Sequence, residues 1–414
     1  MEQNFRVERY RKVDRGEVFE LLRMAFPAAF VERTILQWDW KYDANPFNRE
    51  AENARRADQS RLSATVRAVA LAADLKNLDL DLPENSDAES DPYCLLLRNA
   101  GALVGMIGGL PQQFVIGGSA HWVSDGGDFV VHPQYRGQQL SVRLGKVLAA
   151  DNLIIQGWSN SAGQRSSRSV IRGLGDGTAD QEDSSEAFHS RRMRLLPFFK
   201  PIDFRSLAEY LSPNHLVRKA IEGLTGSIDA LRRRFVKVPS LPALSIAEAE
   251  SFDDRIDQLW NSARNDYPVI AVRNRRYLNW RFVSRPDASY RYLFAFRANE
   301  IVGYLVFRLA DRDGMRCGYV VDYLVENQST ALFSSLLTEA EAGMTHDGAK
   351  AIICAIAPTR YRSTLWRHGF YAARMATTPS LEAGVHSVDP ALKAFVDLEQ
   401  WFVTMADGNL ELSY

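Results

Sequence analysis

Cysteine is scarce: three residues in 414, Cys94, Cys317 and Cys354, an odd number with no CxxC pair and no histidine at metal-ligand spacing. A disulfide framework is excluded, and a zinc site has no ligand pattern to rest on. A surplus of either charge is also missing, since 50 Lys and Arg against 51 Asp and Glu leave a net charge of −1. Sequence-independent nucleic-acid binding needs a basic excess, so any anionic ligand must be held by local groups. No apolar run reaches the roughly 18 residues of a membrane span. The opening MEQNFRVERYRKVD is too charged for a secretory signal, and a cytoplasmic protein is expected. No GxSxG elbow, GxxxxGK[ST] loop or HExxH helix occurs, which leaves an esterase, a P-loop nucleotidase and a zinc protease without support. What is present is an ordinary globular composition long enough for two or three domains. Cys94 and Cys354 lie in the apolar runs PYCLLLR and AIICAIA, where a thiol acts as a small core residue.

The chain repeats itself. WKYDANP, from Trp40 to Pro46, matches WRFVSRP, from Trp280 to Pro286, at an offset of 240 residues. LVGMIGG around Gly105 matches IVGYLVF around Gly303 at 198, and in both copies an apolar run and a polar turn of hairpin type precede the Val-Gly pair. Ile154 and Ile155 fall on Ile352 and Ile353, again 198 apart. The drop in offset gives the first copy about 40 extra residues, a polar, Ala-rich insertion at about 49–91. It reads as a helix near Arg55 to Asn77 followed by a solvated acidic loop, DLDLPENSDAESDP. The expected organisation is an N-terminal unit over 1–199, a helical connector with a basic tail (Arg232 to Lys237) over 200–240, and a C-terminal unit over 241–414. In the first unit the last strand is expected near RRMRLLPFF, and in the second at EQWFVTMAD.

The segment richest in chemistry is DFVVHPQYRGQQLSVRL, residues 128–144. A strand runs through a His-Pro turn and an Arg-Gly pair into a helix whose Leu140, Leu144, Val147 and Leu148 recur at three and four spacing. A helix start offers unpaired N–H groups and partial positive charge, which makes this junction a cradle for a phosphate or diphosphate. GLGDG at Gly173 to Gly177 follows a helix instead of a strand and reads as a helix stop.

VVHPQYRGQQLS resembles the V-x-P-x-[YF]-R-G-x-G-x-[GA] signature of the GNAT acyl-CoA N-acyltransferases. The resemblance implies an α/β (α+β) fold of two tandem GNAT-like units, each a mixed, mostly antiparallel sheet flanked by helices. It implies that Val131, Arg136, Gly137, Gln138, Gln139, Leu140 and Ser141 hold acetyl-CoA or another acyl-CoA as co-substrate. Gln139 stands where the family has Gly, and Ser141 where it has Gly or Ala; a Gln there must turn its side chain away or donate its amide to phosphate. Tandem arrangements occur in bacterial members, including ones linked to cell-surface polysaccharide synthesis. The second unit reads VVDYLVENQSTALF at the corresponding place, with Glu326 where phosphates would sit, and is expected to be a degenerate copy.

Amine attack on a thioester needs a proton acceptor, because an alkylammonium of pKa about 10.4 is almost wholly charged at pH 7. The family places a carboxylate on the strand before the phosphate loop. Asp125 matches that place and Asp128 is the second candidate, while SDGGD is also what a strand bulge looks like. Asp322, 197 residues after Asp125, is compatible with a structural role in both copies. His121 and His132 read as strand-end or turn-capping residues, with a base as their other role. Ser169 takes the place of the family's acidic Tyr. Trp38, Trp40, Trp122 and Trp158 read as core, with an acceptor pocket as the alternative. The expected activity is N-acyl transfer, with acetyl favoured, to a primary amine of a small molecule such as an amino sugar or amino acid. Membranes are not expected as partners, nor is nucleic acid. A non-catalytic tandem binding or scaffold protein and a tRNA-dependent aminoacyl transferase are the other two readings.

Overall fold

The computed structural model describes residues 5–59, 78–81, 92–152, 154–159, 188–195, 197–211, parts of 214–241, 244–312, 314–356, 359–372, 380–386, 392, 394–397 and 401–408. The first half carries strands β1 (Phe5–Arg9), β2 (Leu78–Asp81), β3 (Cys94–Asn99), β4 (Ala102–Ile116), β5 (Ser119–Val131), β6 (Ile154–Ser159), β7 (Phe188–Arg194) and β8 (Pro197–Pro201). Its helices are α1 (Arg15–Ala25), α2 (Ala28–Trp38), α3 (Asn48–Gln59) and α4 (Leu140–Ala150). The second half adds β9 (Ser245–Ala249), β10 (Val269–Ala271), β11 (Arg291–Arg297), β12 (Glu300–Arg312), β13 (Met315–Val325) and β14 (Ala351–Ala355). It continues with β15 (Tyr371–Ala372), β16 (Ser380–His386) and β17 (Trp401–Phe402), and its longest helix is α5 (Thr330–His346). Two compact units result, one from Met1–Met193, Arg285–Asp287 and Pro379–Leu398, the other from Arg194–Ser284, Ala288–Thr378 and Glu399–Tyr414.

In the first unit the strands follow the order β2-β1-β3-β4-β5-β6-β16-β7. The two hairpins turn where φ is positive, at Ala100 and Gly101 and at Gly117 and Gly118. β4 is a nearly continuous apolar run buried along most of its length. On one face Val18, Leu21, Leu22, Val31 and Trp38 of α1 and α2 pack on Leu96, Met106 and Val130. On the other, Leu140, Leu144, Val147 and Leu148 of α4 pack on Leu95, Leu97, Val104 and Ile107. β5 and β6 run parallel but share only three rungs, from Ser124–Ile155 to Gly126–Gly157, so the ladder stops well short of the end of β5 at Val131.

The second unit holds a seven-stranded sheet in the order β15-β8-β14-β13-β12-β11-β9, and β10 pairs in parallel with β17. β13 and β14 repeat the parallel pair, and their ladder also stops early, at Val320–Cys354. The segment RRMRLLPFF is not one strand. β7 ends the first unit's sheet, while β8 pairs antiparallel with β14 of the second. EQWFVTMAD contributes the short β17 and then a 3-10 turn at Met405–Gly408. Trp38 and Trp40 are buried, as are all three cysteines, which carry free thiols.

The insertion's helix begins earlier than the sequence suggests, at Asn48, and the acidic stretch opens with β2, which lies parallel to β1. Glu52 fastens α3 by accepting from Arg55 (2.5 and 2.9 Å), Arg56 (3.1 Å) and Arg9 of β1 (3.2 Å). Arg55 also donates to Asp151 (2.8 Å), which accepts from the Tyr93 hydroxyl (2.8 Å). Burial pushes the Glu52 carboxyl up, but the hydrogen bonds and charges of Arg55 and Arg9 outweigh it and hold the pKa at about 2, against an ordinary 4.5. A carboxylate with a depressed folded pKa stabilises fully above its unfolded value and loses that contribution as pH falls through the folded one, here roughly 3 kcal/mol between pH 4.5 and 2. Urea midpoints taken at pH 7 and pH 2.5 should therefore differ less in Glu52→Gln than in the wild type. Equal differences would show that Glu52 does not anchor the helix.

Candidate functional site

The site grows from the end of β5. A 3-10 turn at Pro133–Tyr135 follows, capped by His132, whose Nδ1 accepts from the Gln134 N–H (3.3 Å). Arg136 then reaches back, donating through Nε to the Val131 carbonyl (3.4 Å) and through a terminal nitrogen to the Ala25 carbonyl at the end of α1 (3.2 Å). Among the described residues no carboxylate pairs with it. Gly137 takes φ 84° and Gln139 φ 58°, so the chain curls left-handed just before α4. The helix's first turn closes on Gln139, whose carbonyl accepts from Val142 (2.9 Å) and Arg143 (3.1 Å). The amides of Gly137 and Gln139 find no backbone carbonyl among the described residues, and Arg136 through Gln139 are exposed while Leu140 is buried. Gln139, the residue out of place against the signature, makes no capping bond with its side chain and leaves the cradle open.

Behind this loop, Asp125 and Asp128 face α1 and α2. Asp128 sits in a bulge of β5 opposite Met106–Gly108 with φ 46°, the bulge that SDGGD suggested. Its Oδ2 accepts from Lys41 Nζ (2.5 Å) and from the Tyr42 hydroxyl (2.6 Å). Gly108 makes the approach possible, since a Cβ there would meet the Tyr42 hydroxyl at 2.1 Å. Burial pushes the Asp128 carboxyl up, yet the charge and hydrogen bond of Lys41 and the hydroxyl of Tyr42 bring it below the ordinary 3.8. Tyr42 moves the opposite way: burial and the charges of Asp128, Cys94 and Asp125 keep its hydroxyl protonated far above the usual range. Asp125 is itself buried and pairs along the ladder with Leu110.

Lys41 and Tyr42 come from the WKYDANP string, which as sequence marks only the repeat. The structure shows why that string carries more: Asp39–Asp43 is a π-helical turn, closed by the Ala44 N–H on the Asp39 carbonyl (2.7 Å). Asn279–Val283, in the matching WRFVSRP string, is π-helical as well.

The second unit has a different arrangement at the same places. Counting back from the rungs Gly105–Val131 and Gly303–Val325, the counterpart of Asp322 is Asp128, not Asp125. Asp322 is fully buried and accepts from Arg273 (3.1 Å), Tyr304 (2.7 Å) and Thr404 (2.7 Å). Arg281, which takes the place of Lys41, donates instead to the Ala406 carbonyl (3.3 Å). The start of α5 is closed by its own Ser329, whose Oγ accepts from the Leu332 N–H (3.3 Å), and Glu326 pairs with Arg297. Beside β13, Tyr323 packs edge to face with Tyr361 and Phe402 and tilted against Phe333, which meets Tyr361 edge to face. A diphosphate would meet a capped helix and a carboxylate there.

A pocket of the first unit lies on the α4 face, lined by Asn48, Glu52, Arg55, Tyr93, Trp122 and Ser124, away from Asp125 and Asp128. His121 lies opposite Phe114 in the β4–β5 ladder. Ser169, Gly173 to Gly177, the side chain of Trp158, and all of the Arg232 to Lys237 tail but Arg234 fall outside the described residues. Among the described residues no helix is long and apolar enough to cross a membrane.

No protein-family model matches the sequence, and no curated protein matches it. Solved structures do. A protein of Enterococcus faecalis V583 described as a probable N-acyltransferase superposes with a TM-score of 0.52 at 12% identity, covering 94% of this chain and 74% of its own. A GCN5-related N-acetyltransferase from Anabaena variabilis ATCC 29413 superposes with a TM-score of 0.51 at 9% identity, covering 91% and 72%. The parallel pair that parts early, the loop and helix that follow it, and these superpositions agree: the chain has the GNAT fold.

Proposed function

We propose that this protein is an acyl-CoA-dependent N-acyltransferase whose first unit binds the co-substrate. The observation that carries this reading is the exposed, left-handed loop Gly137–Gln139 at the start of α4, beside an Arg136 with no carboxylate partner among the described residues, at the helix start where the GNAT fold receives a diphosphate. Arg136, Gly137, Gln138, Gln139, Leu140 and Ser141 would hold the phosphates, with Val131 keeping Arg136 in place through its carbonyl. The bound thioester supplies an activated acyl group, acetyl being the simplest. Asp128 orients the acceptor's ammonium and takes its proton, and Asp125 helps keep Tyr42 protonated so that its hydroxyl goes on donating to Asp128. The acceptor is a primary amine of a small molecule, an amino sugar or amino acid among them. The second unit, built on the same plan with a closed helix start, completes the protein without a co-substrate of its own.

Thermal unfolding with acetyl-CoA tests this directly. A ligand at 100 times its Kd stabilises by about 2.7 kcal/mol, a shift of several degrees for a unit of this size. The wild type should show it, and Arg136→Ala, which removes an exposed side chain, should not. An equal shift in both proteins would place the co-substrate elsewhere, and no shift in either would favour a scaffold.

A further inference from the structure

Lys41 holds a position that an acceptor amine would need. On an α-helix neighbouring side chains diverge by about 100°, yet Lys41 and Tyr42 reach the same carboxylate oxygen, Asp128 Oδ2. The π-turn that carries them makes this convergence possible. The Lys41 side chain is 14% exposed, and a Cβ built on Gly127 would stand 3.9 Å from its Nζ. Its ammonium therefore lies over β5 one residue past the last rung shared with β6, where the two strands have parted. From Val131 back to Gly127 the bulged strand runs alongside Gly105–Gly108 of β4, three strand steps or roughly 10 Å, a span open to a pantetheine-type arm running from the loop along β5.

We propose that Lys41 is acylated in cis by the acyl-CoA bound in the first unit, an inference that rests on the co-substrate reading above. The Lys41 ammonium passes a proton to Asp128, and the free Nζ attacks the thioester carbonyl. A C–N bond forms, the C–S bond breaks, and the coenzyme leaves as a thiolate that takes up a proton. In sum, ammonium and thioester become amide and thiol, with one proton released to solvent. The product side chain is neutral and no longer offsets the charge of Asp128, so acylation frees that carboxylate to receive the ammonium of a second amine. The second unit lacks this arrangement, because Arg281 points its guanidinium at the Ala406 carbonyl and Arg273 occupies Asp322.

The test uses the full chain with acetyl-CoA, following co-substrate binding by melting shift and modification by intact mass and peptide mapping in the same samples. One acetyl group on Lys41 is expected, appearing at a rate independent of protein concentration. Arg136→Ala should abolish it while leaving background labelling of surface lysines unchanged. Asp128→Asn should slow it at least about a hundredfold. If Asp128→Asn fails to fold, Lys41→Arg, which keeps the charge, decides: it should bind acetyl-CoA and lose the single mapped acetyl group. Binding with Lys41 unmodified, labelling spread evenly over lysines, or a rate that rises with protein concentration overturns the inference and leaves the co-substrate reading standing. Absence of any binding overturns both.

Discussion

Arg273→Met is expected to destabilise the second unit by about 3–5 kcal/mol, the usual cost of removing one partner from a buried ionic network. Arg273 is 1% exposed and bridges two carboxylates, donating to Asp322 (3.1 Å) and to Asp407 (2.8 and 3.0 Å), with Thr404 Oγ1 at 3.2 Å. Tyr304 and Thr404 then donate to Asp322, so its remaining acceptor capacity is filled by neutral groups. Taking the guanidinium away leaves two buried carboxylates with no counter-charge in the network. Asp407→Asn should cost less. Burial already pushes the Asp407 carboxyl up, so the site tolerates a neutral group there, and an amide oxygen retains acceptance from Arg273. Urea unfolding followed by hydrogen exchange in β13 and β17 reads both variants. A loss below about 1 kcal/mol for Arg273→Met would show that the network is not what joins these strands.

Much of this architecture was legible in the sequence because hairpins are local. The offset of 198 found from the Val-Gly pairs recurs in the structure: register shifts fall between Leu97 and Arg98 and between Ala295 and Phe296, and positive φ falls at Ala100 and Ala298. What local patterning could not carry was the partner of each strand. RRMRLLPFF has the alternation of one strand, and only pairing far along the chain assigns Pro197–Pro201 to β14 and Ser380–His386 to β6. The error over Asp322 has a similar origin. The β12–β13 hairpin is shorter than β4–β5, so an offset that holds on the first arm has shrunk by the time the chain returns on the second. Arg136 and Gly137 could be singled out as an Arg-Gly pair between a strand and a helix start, and Gln139 as the residue standing where the resembled signature has Gly. Lys41 and Tyr42 could not, since a basic-aromatic pair becomes a site only through a π-turn and a carboxylate 86 residues away in sequence from Tyr42.

Asp128→Asn should lower turnover by roughly 10²- to 10⁴-fold, the range for loss of a general base, while leaving the melting shift with acetyl-CoA in place. The pH dependence separates this role from mere positioning. With Lys41 charged, the Asp128 carboxyl lies below its ordinary 3.8, because the ammonium and the Tyr42 hydroxyl overcome the effect of burial. The lowered carboxyl is then ionised at neutral pH, and kcat/KM shows no acid limb from it there. A neutral side chain at position 41 removes the strongest opposing charge and leaves burial dominant, which favours the protonated form. In Lys41→Gln, as in wild-type protein acylated at Lys41, the acid limb of kcat/KM should therefore lie at higher pH than in protein whose Lys41 is charged, with the basic limb, set by the acceptor amine, unchanged. A limb that stays put or moves down, or an Asp128→Asn protein that keeps more than about a tenth of its turnover, would remove Asp128 from the chemistry and leave it as the residue that fastens the π-turn to β5.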